Sequence, residues 1–478
     1  MRADFIRFLA LGGDDATPIH EKGVRLQGAW VQGELSLSAS NVMTLVLLHC
    51  RIERLEATDA SARLLILSGS LVVEGILANR LQAASILLRQ GFKSTGDVRL
   101  LGAIIGGQVN FEGATLIKGE NEALNCDGAV IKGDLVLARG FHADGEVRLL
   151  GAHISGDLEC SGGVFENEIG DALSCDRAVI TGGVFLDDGF AAKGTVRFPT
   201  TEVGGSITCS GGNFHKENGE CLVLDGATIK RSVFLNHNCT TVGAVRLVGT
   251  AIGRDLDCAG GSFQVGAADA LSCDGTQVEG VFFFRGVKKF SGGMSLSSMS
   301  VTSLCDDYAS WIGTRQQLAL DGFTYKRLGG GAPTGWAMRV EWLNSQRKQF
   351  LLNDFRPQPW EQLSAVLKSM GHPDDARQVA IAKHVRMRNS GRFVAGSRVW
   401  DWLYGSLVGY GYHPWRLLRT MLTVWLACAF VYWIAANPTQ FGLTQHYLAP
   451  VRADLDPICL MNQVKGACPP RKPRYEEL

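Results

Sequence analysis

Four arginines recur at a fixed step of 49 residues: Arg99, Arg148, Arg197 and Arg246. A row of guanidiniums binds anions or carboxylate-bearing partners. Asp127, Asp176, Asp225 and Asp274 keep the same step, and such a row could hold a cation. Cysteines keep it as well, in the rows Phe111, Cys160, Cys209, Cys258 and Cys126, Cys175, Leu224, Cys273. A thiol row could ligate a metal or carry redox chemistry. The Phe and the Leu can do neither, so the cysteines read as small core hydrophobes. Each arginine stands one residue from an apolar position of an alternating pattern and is expected to face outward. Arg25 reads as an earlier member of the row. The aspartates stand next to bends, where they bond local backbone, and the arginine stems can cover the surface beneath them. The arginine row is the candidate interaction ladder.

The elements that carry these rows follow from the same clock. Gly96-Asp97-Val98-Arg99-Leu100-Leu101-Gly102 returns as Gly145-Glu146-Val147-Arg148-Leu149-Leu150-Gly151, then at Gly194, Gly243 and, fading, Gly292. Each repeat holds two similar halves of 26 and 23 residues. Gly102-Ala103-x-Ile105-x-Gly107-x-Val109 matches Gly128-Ala129-x-Ile131-x-Gly133-x-Leu135, with an earlier copy at Gly28. Apolar residues alternate with a period of two, which specifies strands. Of the 58 glycines, 44 fall in residues 1–302, where the only prolines are Pro18 and Pro199. Short strands, glycine at the bends and turns of this length describe a parallel β-solenoid with a pentapeptide-like 49-residue double-rung repeat. Residues 23–302 are expected to form roughly eleven rungs, a rod on the order of 50 Å.

Catalytic constellations are sparse. No CxxC or zinc spacing occurs, and no GxGxxG joins a strand to a helix; Gly329-Gly330-Gly331-Ala332-Pro333 does not qualify. The paired acids Asp187-Asp188 and Asp306-Asp307 point opposite ways on a strand. No histidine recurs at 49, although His142, His153 and His237 fall in rungs, read as lying on one side. Lysine plus arginine and aspartate plus glutamate both total 47, which argues against a nucleic-acid partner or mimic. No catalytic residue, cofactor or metal is assigned.

Beyond residue 302 the material changes, with 11 of 13 prolines and nine of ten tryptophans. Pro359 to Gly371 and Pro373 to about Arg388 read as two helices of an αα-hairpin. Lys383, Arg386, Arg388, Arg392 and Arg398 form a basic cluster without acids, expected to meet anionic lipid. Aromatics from Trp400 to Trp415 follow, then the apolar run Leu417 to Ala436, long enough to cross a membrane. The N-terminus lacks a signal-peptide pattern, and the basic cluster places the solenoid in the cytoplasm with the tail outside. There Cys459 and Cys468 are candidates for a disulfide.

The expected organisation is an N-terminal cap at 1–22, a β-solenoid at 23–302 and a solenoid cap and transition at 303–356. A helical hairpin with its basic juxtamembrane segment takes 357–399 and an aromatic interfacial segment 400–416. A C-terminal transmembrane helix occupies 417–436 and an extracytoplasmic tail 437–478. The repeat, Pro357-Gln358-Pro359-Trp360-Glu361-Gln362-Leu363 and Gly409-Tyr410-Gly411-Tyr412-His413-Pro414-Trp415-Arg416 together give the chain a recognisable likeness. It resembles a family of bacterial proteins often labelled membrane-associated oxidoreductase or hypothetical membrane protein. The resemblance covers most of the chain and brings no active-site residues. Similar chains continue past a segment like Arg474-Tyr475-Glu476-Glu477-Leu478 into another apolar helix, so a truncated form is expected. The expected function is a non-enzymatic scaffold on the bacterial inner membrane, with lipids and a protein on the solenoid face as partners. The alternative is a membrane-associated enzyme, an oxidoreductase by family label only.

Overall fold

The computed structural model describes the chain except for residues 15–19, 120–121, 315, 353, 391–401, 403–404, 408–413 and 437–478. It divides into two units, 1–394 and 395–478.

The first unit is built on a parallel β-solenoid of about 13 turns. Every strand pairing is parallel, and the strands form two sheets of 21 and 17 members. One inward column of the larger sheet records the winding. It runs Val24, Leu45, Leu65, Ile86, Val109, Leu135, Leu158, Val184, Ile207, Val233, Leu256, Phe282, Leu304 and Leu328. The 26- and 23-residue alternation expected from the repeat is present from Val109 to Phe282. The first turns are shorter, at 20 to 21 residues, so more of them fit than the roughly eleven anticipated. Stacking also continues past residue 302, through strands Ser300–Asp306 and Thr324–Leu328. At about 4.8 Å per turn the solenoid is roughly 60 Å long.

The alternation has a local cause. From Phe165 to Leu173, two columns of the smaller sheet are eight residues apart; one turn later Ala192 and Val196 are four apart. The extra residues leave the ladder as a fin at every second turn, within the 11-residue strands Val164–Ser174, Asn213–Val223 and Ser262–Ser272. The fin explains the repeat's glycines. Gly194 and Gly243 have φ of 130° and 122°, and a Cβ on either would lie 2.4 or 2.5 Å from a carbonyl oxygen of the fin beneath, that of Asn167 or Lys216. No side chain fits there.

Inward positions are mostly apolar, with Ser94, Thr201, Thr241, Thr250 and Thr276 among the buried exceptions. Phe111, Phe141, Phe165, Phe190 and Phe214 form a stacked column with ring centroids 5.2–6.3 Å apart, favourable aromatic spacing. Helix α1 (Ala3–Ala10) covers the first turn with Ala3, Ile6 and Ala10, hiding an edge that would otherwise pair with another chain.

The far end is covered by helices α2 (Trp336–Asn344), α3 (Lys348–Leu351), α4 (Gln358–Ser369) and α5 (Pro373–Asn389). Trp360, Leu363, Val366 and Leu367 are the buried face of α4. Its Gln358 and Gln362 bond the last turn: Gln358 Oε1 accepts from Gly322 N–H, and Gln362 Nε2 donates to Tyr325 O at 2.6 Å.

The second unit contains α6 (Pro414–Ala436). Its stretch Leu417–Ala436 is 20 residues of mean hydropathy 1.7, long and apolar enough to cross a membrane. Trp425 and Tyr432 are 65% and 77% exposed.

Candidate interaction surfaces

The arginine row lies on the outer face of the smaller sheet. In register it reads Arg99, Asn125, Arg148, Ser174, Arg197, Val223, Arg246 and Ser272, so arginine appears at every second turn. The aspartate row stands beside it and one turn earlier. Arg148, Arg197 and Arg246 reach back 21 residues to Asp127, Asp176 and Asp225, at 2.8, 2.8 and 2.7 Å. The remaining carboxylate oxygen of Asp127 and of Asp225 accepts the backbone N–H of Leu150 and Val248, each at 2.9 Å. Asp127 and Asp225 thus each tie two successive turns together through an arginine side chain and a main-chain N–H, while Asp176 holds Arg197 with both of its oxygens. Their aspartate hydrogen bonds hold the guanidiniums of Arg148, Arg197 and Arg246 above their ordinary pKa. Arg99 has no such aspartate beneath it and pairs with Asp97 at 3.4 Å and Glu122 at 3.6 Å. The two rows read separately in the sequence are therefore one ladder, and they neutralise each other.

Arg25 does not belong to it. Arg25 pairs with Val46 in the larger sheet, half a turn away. The glycine-alanine motif at Gly28 likewise leads into the smaller sheet at Val31, whereas its matches at Gly102 and Gly128 lead into the larger one. The corners of the solenoid are similar enough that one motif serves both faces.

The cysteines of both rows are buried and free. Burial pushes the thiols of Cys126, Cys160, Cys175, Cys209, Cys258 and Cys273 well up, and that of Cys221 up to about 12. Nucleophilic or ligating thiols need the opposite shift. Among the described residues, no group of three or more His, Cys, Asp or Glu is placed to hold a metal ion. The three histidines do not share a side: His142 is in the smaller sheet, His153 in the larger, and His237 in a turn with φ of 44°.

Three of the four paired acids are committed to structure. Asp187 accepts from Ser161 Oγ at 2.6 Å. Asp306 is buried and receives Arg339 twice, at 2.7 and 2.8 Å, and Trp311 Nε1 at 2.7 Å. Burial pushes the Asp307 carboxyl up, but backbone N–H donors from Gly286 and Ser310 outweigh it and hold the group below its usual range.

Arg339 is one of three arginines that the helical cap sends to the last turns. Arg347 pairs with Asp269, and Arg356 with Asp321 at 3.0 Å. Asp321 follows Asp274 by 47 residues, nearly on the repeat step. No turn carrying the repeat's arginine follows Asp321, and Arg356 supplies the charge. The sequence reading missed these roles; the visible signal was that the arginine row stops at Arg246 while acids continue to Asp321.

In the basic cluster, Lys383 pairs with Glu361 at 3.0 Å, and Arg386 donates twice to Asn344 Oδ1. Arg388 also has a partner. Arg392, Arg398, Cys459 and Cys468 lie outside the described residues.

No known protein family, curated protein or solved structure matches the chain.

Proposed function

We propose that this protein is a membrane-anchored, non-enzymatic scaffold whose solenoid presents a long rigid surface to a protein partner. The observation that supports this most is the ladder itself. The recurring arginines and aspartates spend their hydrogen bonds on neighbouring turns, and the recurring thiols are buried as protonated apolar groups. Such a repeat produces stiffness and a regular surface rather than a reactive centre. The apolar stretch Leu417–Ala436 serves as the anchor, because an exposed helix of that length and composition is stable in lipid. The basic segment from Lys383 to Arg398 then faces the anionic cytoplasmic leaflet of a bacterial inner membrane. The solenoid lies in the cytoplasm, and Cys459 and Cys468 form a disulfide on the other side.

The test is fractionation of expressing cells. The full chain is expected to stay in the membrane pellet through alkaline carbonate washing, and deletion of 417–436 is expected to release it. A membrane-impermeant thiol reagent applied to intact spheroplasts, after reduction, is expected to label Cys459 and Cys468. Full release by carbonate, or a purified chain carrying a stoichiometric flavin or nicotinamide spectrum, overturns the reading.

A further inference from the structure

At the end of the larger sheet, the last three turns and α4 enclose an open cavity of about 610 Å³. Its floor is made of two outward columns. Gln277, Ser300 and Thr324 stand in register across adjacent turns, with Glu279, Thr302 and Lys326 two residues further along the strands. Val278, Val301 and Tyr325 turn their side chains into the core between the columns. Gln362 of α4 forms the wall, fixed there by its bond to Tyr325 O.

At many places along the solenoid polar side chains on neighbouring turns engage one another, as in Arg148–Asp127, Ser161–Asp187 and the run Ser210–Asn236–Asp257. Among the described residues, the six floor side chains make no hydrogen bond or ion pair within the protein. Three hydroxyls, one amide, one carboxylate and one ammonium therefore converge on one space with their capacity unspent, beside the Gln362 amide of the wall, whose Nε2 is engaged by Tyr325 O. The charges sum to zero, and Glu279 and Lys326 are two turns apart, about 9.6 Å along the solenoid.

That inventory selects a ligand class. An apolar molecule would strand the polar groups it covered. An anion would meet Glu279, and a metal ion would meet Lys326 with a single carboxylate to hold it. An uncharged polyhydroxyl molecule suits every group, since each of its hydroxyls both donates and accepts. The volume lies within the range of small-molecule sites and accommodates a disaccharide. We infer that the cavity between the last three turns and α4 is a binding site for a neutral sugar of mono- to disaccharide size. The inference does not rest on the scaffold reading or on membrane attachment.

The experiment is ligand-observed saturation-transfer NMR on the full chain in lipid nanodiscs, titrated with N-acetylglucosamine, maltose, cellobiose and trehalose in turn. At least one sugar is expected to bind saturably. Thr302→Val and Thr324→Val keep the β-branched shape that strands favour, and circular dichroism verifies that each variant folds. Each is expected to weaken binding about tenfold by leaving a sugar hydroxyl unpaired. Thr208→Val, on the same sheet outside the cavity, is expected to bind like the parent. No saturable binding by any of the four sugars, or binding that both cavity variants leave unchanged, overturns the proposal.

Discussion

The regular turns and the helical cap solve the same electrostatic problem in different ways. In the turns, Asp127, Asp176 and Asp225 each find an arginine 21 residues later, on the next turn. At the cap, Asp306, Asp321 and Asp269 find theirs 33, 35 and 78 residues away, on elements that do not repeat. The regular ladder is partly open to water, and its pairs are replaceable increments. The Asp306–Arg339 pair is 0–2% exposed at its side chains, and nothing but the partner can compensate either charge. A repeat therefore supplies its own counter-charges as long as the next turn still carries the repeat's arginine, as it does up to Arg246. The last turns need them imported.

The largest effect that tests this contrast is expected from Arg339→Met. It leaves Asp306 buried without its counter-charge, which costs about 3–5 kcal/mol. Hydrogen exchange is expected to show the loss in 300–390 while the turns from 98 to 250 keep their protection. Uniform loss across both regions would remove the distinction. Phe190→Ala, inside the aromatic column, is expected to cost about 3–5 kcal/mol as well, but with the deprotection centred on the regular turns.

A smaller effect is expected from the cysteine rows. Cys175→Ser buries an unpartnered hydroxyl and is expected to cost roughly 1–3 kcal/mol in urea unfolding. Cys175→Leu copies what Leu224 does one repeat later and is expected to cost less than about 1.5 kcal/mol. If Leu were worse than Ser, the thiol would have a role beyond filling space. Arg148→Met removes a partly exposed pair and is expected to cost about 1 kcal/mol or less, diminishing as salt is added.

The smallest effect is a pH dependence. Burial, and then the charges of Asp157, Asp187 and Asp134, raise the Glu159 carboxyl above its ordinary value. The folded state thus holds a proton that the unfolded chain has already released. From this group stability falls as pH rises from the ordinary glutamate range through the raised value, and it is recovered on acidification. Melting temperature followed between pH 7 and 4.5 is expected to show a slightly flatter profile in Glu159→Gln. An identical profile would place Glu159 in ordinary solvent contact.

Much of the fold was legible because a solenoid is nearly one-dimensional. Alternation at Val147, Leu149 and their repeats gave the inward face, and the 26- and 23-residue halves gave the stacking step of the larger sheet between Val109 and Phe282. The short early turns were harder to read, since without a fin they lack the spacing that marks the later ones. Arg25 was misassigned because the same glycine-alanine motif turns the chain at more than one corner. Position within a turn is a matter of three-dimensional phase, which a motif match does not carry.

The sequence by itself determined the period, the strand direction and the inward identity of each column, because these depend only on neighbours along the chain and one repeat away. It also showed that glycine recurs at Gly194 and Gly243, though not the reason. Tertiary structure alone decided which charges meet. Whether Arg148 served an external anion or Asp127 depended on the offset between turns. Whether Arg339, Arg347 and Arg356 faced water or the last aspartates depended on where the cap helices docked. Ion pairs act through space within a few ångströms, and only folding sets those distances.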